Sequence, residues 1–176
     1  ELKPVPELLL TTSLSYNHTE IRDAGLTTAA CGATRVDTFP NVSLCTPLDP
    51  IVTPAAPFSA AIVNINGNSL PQSPRWIANA TARYGIPVGD GEFYAFTDWA
   101  YRSKINFFLY DSIEFQDRRQ LEGGLRIGYQ TDRFDFAGFV RNLTNDESAV
   151  GAIDFNNLTG FVNEPRIWGV EAGFKF

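Results

Sequence analysis

The 176 residues read as an all-β chain: an antiparallel, up-and-down transmembrane β-barrel, present here as the last six or so strands of a larger one. Three observations predict this. Apolar side chains recur with period two and not with the 3.6 of a helix. Short and long connections alternate along the chain, which places all the short ones at one end of a set of up-and-down strands. The last segment, Pro165 to Phe176, puts Trp168, Val170, Ala172, Phe174 and Phe176 on one face against Ile167, Gly169, Glu171, Gly173 and Lys175 on the other. A closing strand of a soluble β-sandwich alternates in the same way, so that strand alone does not decide between the two. Sandwich connections, however, mix lengths at both ends.

Taken in order, Glu1 to Lys3 reads as the end of a strand, and Pro4-Val5-Pro6 as a tight connection, since proline donates nothing to a ladder. Leu8 to Tyr16 then alternates cleanly, Leu8, Leu10, Thr12, Leu14 and Tyr16 against Thr11, Ser13, Ser15 and Asn17. From His18 to Pro74 no period is sustained. This stretch is expected to be one very long extracellular loop, of a length that compact domains seldom tolerate without a function for it.

Arg75 to Tyr84 alternates again, with Trp76 and Tyr84 closing the two ends of an apolar face of alanines. Aromatics at both borders are the pattern of two membrane interfaces. Gly85 to Gly91 reads as a short turn, and Glu92 to Ser103 as the next strand, its polar face interrupted by Tyr94 and Phe96. A medium loop, Lys104 to Arg118, carries Phe107, Phe108, Tyr110 and Phe115. Gln120 to Tyr129, a turn at 130–133, and Phe134 to Leu143 follow, and a long loop from Thr144 to Glu164 leads to the last strand. Six strands cannot close the smallest such barrel, which needs about eight. The lack of any Met, at position 1 included, agrees with a fragment of something longer.

Composition excludes several functions. A formal net charge of −6 argues against a nucleic-acid groove, which needs clustered Lys and Arg. No apolar run approaches the ~18 residues of a membrane helix, and no signal peptide is visible. His18 is the only histidine, and no Ser/His/acid or Cys/His set stands ready for catalysis, so the chain is not read as an enzyme and no cofactor is expected. The acidic sets Asp146/Glu147/Asp154 and Asp111/Glu114/Asp117 lack a metal-loop spacing and read as solvated loop charge. Five glycosylation sequons, at Asn17, Asn41, Asn79, Asn142 and Asn157, fall partly in strands and read as chance.

Cys31 and Cys45, the two cysteines, both lie in the long loop. A disulfide pinning that loop in an oxidising compartment is the simplest account, with free thiols as the other reading. Arg75, Arg83, Arg102, Arg126 and Arg141 share the polar faces with Glu92, Asp98, Glu122 and Asp135. Ion pairs lining a lumen account for them because the signs nearly balance. Contact with an anionic substrate or with a plug is the alternative.

The run Phe136-Ala137-Gly138-Phe139-Val140-Arg141-Asn142-Leu143-Thr144-Asn145, then Thr159-Gly160, then Pro165-Arg166-Ile167-Trp168-Gly169-Val170 and a terminal Phe176, resembles the C-terminal end of TonB-dependent outer-membrane receptors. Upstream, 67–76 and 98–103 resemble that family's neighbouring strands. The resemblance implies a barrel of about 22 strands around a plug domain that is not part of this chain. It implies energised uptake of an iron chelate, cobalamin or a saccharide. The implied partners are the plug and the rest of the barrel, the TonB energy-coupling complex acting through the plug, outer-membrane lipid and lipopolysaccharide, and the barrel-assembly machinery, with a surface or periplasmic protein as a further candidate. The location implied is the outer membrane of a Gram-negative bacterium, loops outside and C-terminus at the periplasmic side. Phe174 and Phe176 would form the C-terminal assembly signal, although Glu171 stands where the family's usual glycine would be. Arg141, Asn142, Leu143, Pro165 and Arg166 carry the family-like motif, and no ligand-binding residue follows from it. A passive porin, adhesin or partner-docking barrel without a plug is the alternative function.

Overall fold

The computed structural model describes residues 1–31, 45–54, 59–155 and 157–175. Among the described residues there are fourteen strands and no helix. They are β1 (Leu2–Val5), β2 (Leu8–Tyr16), β3 (Thr27–Ala30), β4 (Ile51–Thr53), β5 (Ala61–Asn64), β6 (Trp76–Val88), β7 (Gly91–Arg102), β8 (Ile105–Asn106), β9 (Gln116–Asp117), β10 (Gln120–Gln130), β11 (Phe134–Arg141), β12 (Ala149–Phe155), β13 (Asn157–Val162) and β14 (Ile167–Phe174).

Seven of them form one antiparallel sheet in the order β1-β2-β6-β7-β10-β11-β14. Each strand pairs with the next long strand of the chain, so the sheet is an up-and-down meander. Six strands with a remnant of a seventh become seven, because Leu2 and Val5 of β1 pair with Leu10 and Leu8 of β2. The short turns lie at one end and the three long connections at the other.

Residues opposite one another on neighbouring strands share a face. Following the register from strand to strand, Leu10 stands beside Ala82, Ala82 beside Thr97, Thr97 beside Leu125, Leu125 beside Val140, and Val140 beside Trp168. Every residue of this parity from β2 to β14 is uncharged. At the long-loop end the face carries Tyr16, Trp76, Trp99, Tyr101 and Trp168. At the short-turn end it carries Tyr84, Phe93, Tyr129, Phe136 and Phe174. Alanine, glycine and aliphatic residues fill the middle. Tyr84 follows Trp76 by eight residues, about 26 Å along the strand. The other face carries the arginines and carboxylates.

The turn expected at Gly85 to Gly91 is shorter than that. Gly85, Ile86, Pro87 and Val88 belong to β6 and pair with Tyr94, Phe93, Glu92 and Gly91. Only Gly89 and Asp90 turn, with φ +62° at Gly89 alone, which is the type II′ arrangement that suits a two-residue hairpin. Proline is tolerated at Pro87 because neighbouring β2 ends at Leu8, opposite Tyr84, and no ladder partner there awaits an N–H.

The long connections also differ from the sequence reading. The stretch 18–74 is not a structureless loop: β5 pairs with β3 on one side and β4 on the other. The medium loop holds the short β8–β9 ladder, and the last loop holds the β12–β13 hairpin. The main apolar core of the protein is here and not in the sheet. Ala30, Val63, Ile65, Ile105, Phe107, Tyr110 and Phe115 pack around the cysteines, with Ala149 and Ala152 of β12 against them. All three long connections therefore form one loop cap over the end of the sheet.

Candidate functional site

The polar face is built around Tyr94 of β7. Its ring is 5% exposed, and its hydroxyl donates to Asp135 Oδ1 at 2.9 Å while accepting from Arg126 Nε at 2.8 Å. Arg126 Nη2 reaches Asp135 Oδ2 at 2.6 Å, and its Nη1 lies 3.1 Å from Glu171. On the other side Arg83 grips Glu92 with both terminal nitrogens, at 3.0 and 2.6 Å, and Gln130 donates to the same carboxylate at 2.7 Å. The Arg83 and Arg126 guanidinium carbons stand 5.2 and 5.7 Å from the Tyr94 ring centroid. Charge-assisted pairs of this geometry are the strong ones, and a ring between two guanidiniums adds cation–π attraction. The ring lies where it does because β10 offers Gly128 beneath it: a Cβ there would come within 2.8 Å of the Tyr94 ring carbon and hydroxyl oxygen. Tyr94, which blurs the polar pattern of its strand, is the centre of the network that ties β6, β7, β10, β11 and β14 together.

Nearer the loop cap the same face opens into a concavity of about 350 Å³, with Phe96 and Asp98 of β7, Glu122 and Arg126 of β10, and Phe139 and Arg141 of β11 along its sides. Arg141 stands 5.6 Å from the Phe139 ring, and among the described residues neither it nor Asp98 makes an ion pair. The balance of signs expected along the polar face is thus met in part by direct pairing. Glu92 and Asp135 take arginines, Arg102 pairs at 3.0 Å with Asp117 of β9 and not with Asp98, and Glu122 accepts from Gln120 and Asn163. Asp98, Glu122 and Glu164 leave this surface predominantly acidic.

The motif residues come together where the last loop closes. Asn142 is buried with φ +48°, a conformation asparagine tolerates. Its amide nitrogen donates to the carbonyls of Asp146 and Glu164, and its oxygen accepts from the Asp146 N–H. Leu143 N–H continues the pairing to Gly123, and Arg166 N–H reaches Asn145 Oδ1 at 3.2 Å, with Pro165 just before it. Arg141, Asn142, Leu143, Pro165 and Arg166 thus frame the base of the β12–β13 hairpin. Phe174 lies on the apolar face, edge-on to Phe136 with centroids 5.7 Å apart. Phe176 lies outside the described residues.

In the loop cap Cys31 and Cys45 join in a disulfide, Cα atoms 4.9 Å apart, and both are buried. Tyr110, one of the loop aromatics that read from sequence either as stacking on a ligand or as capping the rim, lies in the core of the cap. Its hydroxyl donates to Asp154 of β12, the Cys31 backbone hydrogen-bonds the same hydroxyl, and its ring stacks on Phe108. It therefore ties all three connections together. Burial, with Asp154 beside it, pushes the phenol well above its ordinary range. Asp49, also buried, accepts the Asn68 amide with both oxygens and the Asp111 N–H at 2.7 Å. No periodicity marks Tyr110 or Asp49, because both stand in bends between strands only two to four residues long. Among the described residues no three metal-ligating side chains converge. No family model, no curated protein and no solved structure matches the chain.

Proposed function

We propose that the chain is part of the wall of an outer-membrane β-barrel receptor that takes up a scarce nutrient by TonB-dependent active transport. One observation carries the membrane half of this reading: a face continuous over six neighbouring strands, without a single charge, bordered at both ends by aromatics. Water gives no reason for such a face, whereas a bilayer gives one for each of its parts. The middle meets hydrocarbon and the rings meet the two interfaces. In this arrangement the polar face lines the lumen, and its arginine–carboxylate network holds five strands in register against whatever fills the barrel. The loop cap stands outside the membrane as a preformed rim. The transport half rests on the resemblance carried by the residues from Phe136 to Val170, and with it the plug, the coupling complex and the substrate classes of iron chelate, cobalamin or saccharide.

The test is made on the full-length protein in a Gram-negative host. Recovery in the outer-membrane fraction, solubility only in detergent and accumulation of a labelled nutrient that stops when the coupling complex is inactivated are the expected results. Accumulation independent of coupling, or steady conductance in a planar bilayer, would assign a passive barrel instead. A monodisperse protein in water without detergent would end the membrane reading altogether.

A further inference from the structure

We propose that a cleft at the foot of the loop cap is an anion site that takes a phosphate group. The cleft, about 360 Å³, opens where three segments meet: Arg75 and Trp76 at the start of β6, Lys104 between β7 and β8, and Asp111 beyond them. Its lining is net positive, Arg75 and Lys104 against Asp111. The protein carries a formal net charge of −6, and the lumen-face arginines Arg83 and Arg126 are held by carboxylates. Arg75 and Lys104 are exposed, and among the described residues neither is in an ion pair.

The floor between them is fixed. Asn106, 5% exposed, donates its amide to the carbonyls of Phe108 at 2.7 Å and Ser69 at 3.3 Å. The Ser103 hydroxyl accepts the Trp76 N–H at 3.0 Å, which leaves its own proton to donate into the cleft. A forked guanidinium, an ammonium and a hydroxyl around one concavity suit a group with several anionic oxygens, and phosphate is the common one. Trp76 adds an indole face against which a sugar ring or a lipid glycerol can lie. The opposing charge is Asp111, half-buried on the Lys104 side.

The phosphate can arrive on a soluble sugar or on a lipid headgroup, since Trp76 belongs to the outer aromatic border. The cleft argument stands without the transport reading. Only the lipid source depends on the membrane face.

The full protein, purified in non-ionic detergent, is titrated calorimetrically with glucose 6-phosphate against glucose, and with short-chain phosphatidic acid against short-chain diacylglycerol. At least one phosphate ligand is expected to bind where its uncharged control does not, less tightly as salt is raised. Binding of the sugar phosphate alone assigns a soluble ligand and binding of the lipid alone a headgroup; each supports the site. The double variant Arg75→Gln/Lys104→Gln should weaken binding by about tenfold or more, from two lost charge-assisted contacts. Asp111→Asn, nearly isosteric, should tighten it severalfold. The proposal is overturned if neither phosphate outbinds its control, or if the double variant, with unchanged strand content, binds as before. Should that variant not fold, an Asp111→Asn protein that binds no better than its parent overturns it equally.

Discussion

The seven-stranded sheet and the loop cap at its end treat their apolar side chains in opposite ways. In the sheet, large apolar groups of one parity stand open: Val170 is 90% exposed, Trp168 69% and Leu14 70%. In the cap, Val63 and Ala30 are fully buried and the cysteines beside them nearly so. The cap behaves as an aqueous domain in miniature, with its own core and disulfide. The sheet buries little and depends on its backbone ladder and on what lies against its uncharged face. The difference teaches where stability comes from in each half: solvent contributes in the cap, and in the sheet the proposed bilayer does.

The largest expected effect tests that division directly. An arginine at Ala80, mid-strand on the uncharged face, should cost about 2 to 4 kcal/mol in a bilayer and sharply reduce the folded, membrane-inserted fraction. The same change at neighbouring Thr81, on the polar face opposite Asp98, should be tolerated. Heat-modifiable electrophoretic mobility of membrane fractions reads both. Equal losses from Ala80→Arg and Thr81→Arg would erase the distinction between the faces.

The second effect belongs to the cap. Cys31→Ser with Cys45→Ser should destabilise the cap by roughly 3 kcal/mol, the constraint expected for a loop of this size, and leave the sheet in place. Hydrogen exchange should rise in 45–54 and 59–68 while β7, β10 and β11 stay protected. If protection falls equally in both regions, cap and sheet are one cooperative unit.

The same division explains what was legible in the sequence. β2, β7, β10 and β11 can be read to within a residue or two because one face is apolar and the period of two sets register as well as existence. β6 runs on through Gly85 and Pro87, where turn-forming residues mask a continuing ladder. The cap has no such pattern. β3 finds β5 more than thirty residues later, each four residues long, and nothing local announces the pairing. Asn142 was legible as part of a motif, but its role, a positive φ and bonds to Asp146 and Glu164, needed coordinates. The arginines of the polar face could be expected to pair, but Arg102 chose Asp117 because the β8–β9 ladder brings that carboxylate back over the end of β7.

A third, smaller effect sharpens the view of the cap as one unit. Tyr110→Phe keeps the ring on Phe108 and removes the hydroxyl that binds Asp154. A hydrogen bond to a charged partner is worth about 1.5 to 3 kcal/mol, so the β12–β13 hairpin should loosen while the disulfide region changes little. Limited proteolysis within 149–162 measures it. Unaltered cleavage would mean that the hairpin is held by its base at Asn142 and not by Tyr110.

The smallest effect is one of pH, and it acts on the cap with two signs. Burial works to raise the Glu114 carboxyl, but the Thr46 N–H and hydroxyl donate to it at 2.8 and 2.9 Å, and the result lies below the ordinary 4.5. Its stabilising contribution is complete above that ordinary value and is lost as pH falls through the lower folded one. Asp111 moves the other way: burial, with Asp49 nearby, raises it above 3.8 despite Lys104 and Asn106. Its cost is absent below 3.8 and grows as pH rises through the folded value. As pH falls from neutral, Asp111 taking its proton should tighten the cap slightly and Glu114 taking its own should loosen it. Hydrogen exchange at 45–49 and 111–115, corrected for intrinsic rates, follows both steps. Asp111→Asn should remove the tightening and Glu114→Gln the loosening, with the sheet indifferent to either. A single monotonic change shared by cap and sheet would place the pH response in the strands and overturn the separation of the two regions.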